Sequence, residues 1–133
     1  MTPKQVVIEF WNAMKSNDFV KASEWLSEDF KGFWPQSSEL IVGRDNFIAI
    51  NTFYPANGKW LFEIKSILAE KDSVVTDVVI TDGVVLVRAI TFHTVVNDLI
   101  SKQVEYWPED YEAPAWRAKW VKIESISSEI DLK

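Results

Sequence analysis

The sequence predicts an α+β fold in which three N-terminal helices precede a set of long strands. Three observations predict it. Apolar residues recur at helical spacing through the first half of the chain. From Trp60 onward the apolar positions alternate instead, in runs rich in β-branched residues. Asp82-Gly83 then stands between two such runs as a hairpin signal. Helices first and a strand meander after them define the α+β class.

The elements follow in order. Pro3 suits a first helical turn with Thr2 as N-cap. Val6, Val7, Phe10 and Met14 keep helical spacing, so residues 3–16 should form an amphipathic helix. Asn17-Asp18 stops it, and residues 18–27 should form a second helix with Ala22, Trp25 and Leu26 inward. Phe30 to Trp34 should be extended, ended by Pro35. Residues 36–43 read as a loop or short strand. A third helix should span about 45–54, burying Phe47, Ile48, Ile50 and Phe53, and Pro55-Ala56-Asn57-Gly58 closes it. Strands are expected over Leu61–Ala69, Val74–Ile80, Val84–Val95 and Ile100–Trp107, with Asn97-Asp98 turning the last pair. Residues 113–133 form a C-terminal extension: a helical turn over 113–120, then a strand or ordered tail anchored by Ile126 and Ile130.

The 133 residues fit one domain, with 47% hydrophobic and 26% charged residues. A net charge of −6 argues against nucleic acid as a partner, since phosphate binding needs clustered Lys and Arg. No apolar run spans a bilayer, and no charged-then-apolar leader opens the chain, so a cytoplasmic protein without a membrane partner is expected. With no cysteine and a single histidine, His93, neither a metal site nor a cofactor is expected. There is no phosphate-cradling glycine loop and no nucleophile elbow. Acidity is uneven: residues 72–133 hold 11 acids against 6 bases, residues 1–71 hold 9 against 8. Glu105, Glu109, Asp110 and Glu112 cluster beside Tyr106, Trp107 and Tyr111.

Four segments carry a resemblance. They are the opening helix Val6-Val7-Ile8-Glu9-Phe10-Trp11-Asn12-Ala13-Met14, the run Trp25-Leu26-Ser27-Glu28-Asp29-Phe30 leading to Trp34-Pro35, the step Gly43-Arg44-Asp45-Asn46-Phe47-Ile48, and the strand end Val104-Glu105-Tyr106-Trp107. In this order and spacing the chain resembles the nuclear-transport-factor-2-like superfamily, which includes SnoaL-like and ketosteroid-isomerase-like proteins. The resemblance covers residues 3–121. It implies a cystatin-like α+β cone, a curved mixed or antiparallel sheet around the helices, with an internal pocket. It also implies a homodimer through the outer sheet surface.

The family's catalytic sets are not preserved. Ketosteroid isomerase chemistry needs a carboxylate base, a Tyr hydroxyl and a protonated Asp. The resemblance places these roles at Trp34, Phe10 and near Phe92, none of which transfers protons. Limonene epoxide hydrolase uses an Asp-Arg-Asp set. Glu105 falls near one carboxylate position, but the strand Val75-Thr76-Asp77-Val78-Val79 lacks the matching Arg-x-Asp, and Asp77 should point outward. His93 reads either as a hydrogen-bonded histidine on the sheet or as a general base. If Phe92 lines the pocket, His93 must face the outer side.

What remains is an aromatic pocket. The resemblance puts Phe10, Met14, Trp34, Phe53, Phe62, Phe92, Tyr106 and Trp107 around it, suiting a hydrophobic small-molecule ligand. Its polar groups would be Glu105, Tyr106, Arg88 and the indole N–H of Trp34 or Trp107. Arg88 would neutralise Glu105 across the sheet or bind a ligand carboxylate, while Arg117 stacks on a tryptophan or holds the acidic loop before it. Three functions stay open: a SnoaL-like binder of an apolar or aromatic small molecule; an isomerase, cyclase or hydratase with Glu105 as catalytic acid or base; and a dimeric protein-interaction module.

Overall fold

The computed structural model describes residues 1–124. The element order is α1 (Pro3–Lys15), α2 (Phe19–Ser23), β1 (Leu26–Trp34), β2 (Glu39–Val42), α3 (Arg44–Phe53), β3 (Leu61–Glu70), β4 (Ser73–Thr81), β5 (Leu86–Val96), β6 (Leu99–Tyr106) and a 3-10 helix, Ala115–Trp120. The strands form one mixed sheet in the order β2-β1-β6-β5-β4-β3. All neighbours are antiparallel except β1 and β6, which run parallel. Register shifts interrupt the β1–β6, β3–β4 and β5–β6 ladders. Such bulges bend strands, and here they curve the sheet around the helices.

Local chemistry sets the helix ends. Thr2 and Gln5 form a reciprocal capping box at α1, and Asp18 caps α2 through the Lys21 N–H at 3.1 Å. Gly43, with φ +83°, provides the left-handed step into α3 that a side chain would resist. The β5–β6 turn places Asn97 and Asp98 both at positive φ, as a tight two-residue hairpin requires.

The core lies between α1 and the inner face of the sheet. Val6, Val7, Phe10, Trp11 and Met14 pack against Phe30, Val74, Val78, Ile80, Ala89, Val95 and Ile100. On β4 the inner residues are Val74, Thr76, Val78 and Ile80, so Asp77 faces outward as expected.

Two expectations change and two become specific. The second helix stops at Ser23 rather than 27, because the Ile100 N–H donates to the Trp25 carbonyl at 2.8 Å and Leu26 begins β1 beside Ile100. A long-range ladder overrides local helix preference there. Residues 39–42 are a strand paired with β1. Phe53 is not on the buried side of α3 and is 81% exposed. At 100° per residue, Phe53 sits about 120° around the helix from the buried Phe47, whereas Asn51 is only about 40° away. The helical turn expected in the extension is the 3-10 helix, where the Arg117 guanidinium lies 5.6 Å from the Trp116 ring centroid. The anchors Ile126 and Ile130 lie outside the described residues.

Candidate functional site

Aromatic residues from α1, β1, α3, β3 and the end of β6 leave a cavity of about 300 Å³ between helix and sheet. Ten of its 22 lining residues are aromatic. Phe10, Trp11 and Met14 come from α1, Phe47 and Asn51 from α3, Phe62 from β3, Gly32 and Trp34 from β1, and Gln103, Glu105 and Trp107 from β6 and the residue after it. The exposed lining residues Tyr54, Pro55, Asn57 and Val85 form the rim. The Trp34 and Trp107 rings meet edge to face, 6.2 Å apart at 78°. The Gln36 side chain accepts the Trp107 backbone N–H and thereby ties the β1–β2 turn to the end of β6.

Glu105 is the one acid on this wall without a full set of donors. Its Oε2 accepts the Thr91 hydroxyl at 2.6 Å, from the residue directly opposite on β5. Burial pushes the carboxyl above its ordinary value; the Thr91 hydroxyl and the indoles of Trp34 and Trp107 pull it back, but burial prevails. Trp107 exerts its pull without bonded geometry: among the described residues, its buried Nε1–H has no hydrogen-bond partner.

Asp82 also lines the cavity but is fully engaged. Its carboxylate accepts from the Asn57 N–H at 2.7 Å, Asn57 Nδ2 at 3.1 Å, the Val84 N–H at 3.0 Å and the Val85 N–H at 2.9 Å. These backbone donors, Asn57 foremost, hold it far below the usual carboxylate range. Asp82 therefore fastens the rim loop to the β4–β5 turn. Asn17 fastens the other end, bonding both the Trp60 N–H at 2.9 Å and the Trp60 carbonyl at 2.8 Å.

Behind the cavity lies a closed polar cluster. The Trp11 indole donates to Thr76 Oγ1 at 3.2 Å, Thr76 Oγ1 meets His93 Nε2 at 2.9 Å, and His93 Nδ1 meets Gln103 Nε2 at 3.1 Å. Burial lowers the His93 pKa to about 3, so the ring is neutral at physiological pH. Among the described residues, no group of three or more His, Cys, Asp or Glu is placed to hold a metal ion.

The profile of the SnoaL-like domain matches residues 7–103. The chain belongs to the SnoaL-like family. This SnoaL-like protein is similar to a provisionally assigned ketosteroid isomerase from Kribbella flavida, at 28% identity and a TM-score of 0.85, over 92% of this chain and 90% of that one. An NTF2-like protein of unknown function from Burkholderia xenovorans shares 24% identity with a TM-score of 0.76, over 92% and 95% of the two chains. A provisionally assigned SnoaL-like polyketide cyclase from Shewanella denitrificans shares the fold at 13% identity and a TM-score of 0.67, over 80% and 90%. No curated protein matches the sequence.

Of the residues the sequence pointed to, the SnoaL-like cavity gathers Phe10, Met14, Trp34, Phe62, Glu105 and Trp107. It does not gather Phe53, Arg88, Phe92 or Tyr106. The register pairs Thr91 with Glu105 and His93 with Gln103 on the inner face. Strand alternation then turns Phe92 and Tyr106 outward, where they are 47% and 40% exposed. The expectation that Phe92 points in and His93 out is thus reversed. Arg88 shares the outer face and pairs with Asp77, not Glu105. Phe10 and Trp34 do occupy cavity positions, whereas Phe92 fills no role there. Sequence reading missed Thr91, Gln103, Asn51 and Asp82. Parity with Glu105 would have found Gln103, and helical spacing from Phe47 would have found Asn51. Asp82 read only as a turn former.

Proposed function

We propose that this SnoaL-like protein binds an apolar or aromatic small molecule in the cavity between α1 and the sheet. The ring-lined wall supports the reading most directly: ligand cavities are concave, mostly apolar and fitted with few polar groups. Trp34 and Trp107 report on occupancy. A panel of single-ring aromatic compounds should give saturable changes in tryptophan fluorescence, diminished in Trp34→Phe and Trp107→Phe, together with raised thermal stability. Absence of both signals across the panel overturns the reading.

A second reading makes the same site catalytic, with Glu105 as acid or base in an isomerase-, cyclase- or hydratase-type reaction. The carboxyl faces the cavity and burial raises its pKa toward the range useful for proton transfer, which supports it. Under that reading Glu105→Gln abolishes turnover and leaves affinity for a neutral ligand within about twofold.

The outer face supports a homodimer. Leu68, Val75, Phe92 and Val104 lie in one row across β3, β4, β5 and β6, beside the exposed Tyr106. An apolar row of this kind is what an isologous interface buries.

A further inference from the structure

The cavity wall has a charge pattern that narrows the ligand class. Among the described residues, its lining contains two carboxyl groups and no Lys, Arg or His. Three cations are paired with other acids: Arg88 with Asp77 on the outer face, Arg44 with Glu28, and Lys65 with Glu63. Asp82 stays ionised, but its oxygens are occupied by four N–H donors. Glu105 has a single hydroxyl donor, from Thr91. The indoles of Trp34 and Trp107 also favour its ionised form, yet burial outweighs them. An anionic ligand would meet two carboxyls with no cationic side chain among the described lining residues. A neutral hydrocarbon would desolvate the carboxyl further and add no partner. A cation would compensate it.

We infer that the ligand is a small apolar amine, protonated at neutral pH, with its ammonium against Glu105 and its body among Phe10, Trp34, Phe62 and Trp107. This rests on the small-molecule reading above and adds the ligand's charge. The volume of about 300 Å³ lies at the low end for ligand cavities and fits a one-ring compound. Binding the ammonium favours ionised Glu105 against its burial. When Glu105 is protonated, the bound amine retains its N–H, and the Glu105 proton leaves to solvent. The other titratable groups facing this region are Tyr54 at the rim, Asp82, which is held ionised, and His93, which lies behind Gln103 and stays neutral until about pH 3.

The test compares N,N-dimethylbenzylamine with its uncharged carbon isostere isobutylbenzene, with acetophenone and with phenylacetate, by tryptophan fluorescence and calorimetry. At neutral pH the amine should bind at least about tenfold tighter than isobutylbenzene. Its affinity should fall on acidification while that of isobutylbenzene stays level. Glu105→Gln should remove the amine's advantage and leave isobutylbenzene within about twofold. The pH series on the unaltered protein gives the answer if that variant fails to fold. Isobutylbenzene, acetophenone or phenylacetate binding as tightly as the amine overturns the inference while sustaining small-molecule binding. No binding by any of the four overturns both.

Discussion

His93 and Glu105 occupy neighbouring rows of the same inner sheet face, one paired with Gln103 and the other with Thr91. Burial drives both toward the neutral form, lowering the histidine and raising the carboxyl. They differ in what their remaining polar atoms face. His93 spends both ring nitrogens, on Thr76 and Gln103, and does not line the aromatic cavity. Glu105 spends one oxygen on Thr91 and faces an open aromatic space. A displaced pKa therefore does not mark a functional group here. Spare hydrogen-bonding capacity beside a cavity does.

Breaking the closed cluster should have the largest effect. His93→Ala leaves a void and strands Thr76 and Gln103, and should cost about 3 kcal/mol in chemical denaturation. The same group gives the comparison a pH signature. The unfolded chain takes up a proton near pH 6.5, whereas the native histidine resists until about 3. Its contribution is complete above 6.5 and is lost as pH falls, at up to about 1.4 kcal/mol per pH unit. The stability gap between the native protein and His93→Gln should thus narrow on acidification. Glu105 runs the other way. Its raised pKa stabilises the native state below the ordinary carboxyl value, and that contribution is lost as pH rises through the native one. A gap that widens as pH falls would show that His93 is charged in the native protein.

The two sides of the sheet should separate as well. In the proposed dimer, Phe92→Glu and Tyr106→Glu place charge in the interface, so sedimentation should show monomer where the unaltered protein gives dimer, while ligand binding stays within about twofold. A tenfold loss of ligand affinity in either variant would place that residue at the site.

Much of this was legible in the sequence. Capping by Thr2 and Asp18, the step at Gly43, and the turns at Asp82-Gly83 and Asn97-Asp98 are local, and local chemistry decided them. The core face of α1 followed from its spacing. What failed was partly non-local and partly a misapplied local period. The parallel pairing of β1 with β6 shortened α2, and nothing near Leu26 encodes its partner Ile100. Placing Glu105, Tyr106 and Trp107 in one pocket broke strand alternation, since neighbouring residues face opposite sides. Phe53 failed because apolar spacing of three drifts around a helix.

The most direct measurement follows the Glu105 carboxyl carbon by NMR across a pH titration, with and without N,N-dimethylbenzylamine. The titration should lie above the ordinary value of 4.5 in the free protein and move downward when the amine is bound. A Glu105 signal that titrates at or below 4.5, or ignores the amine, would contradict it.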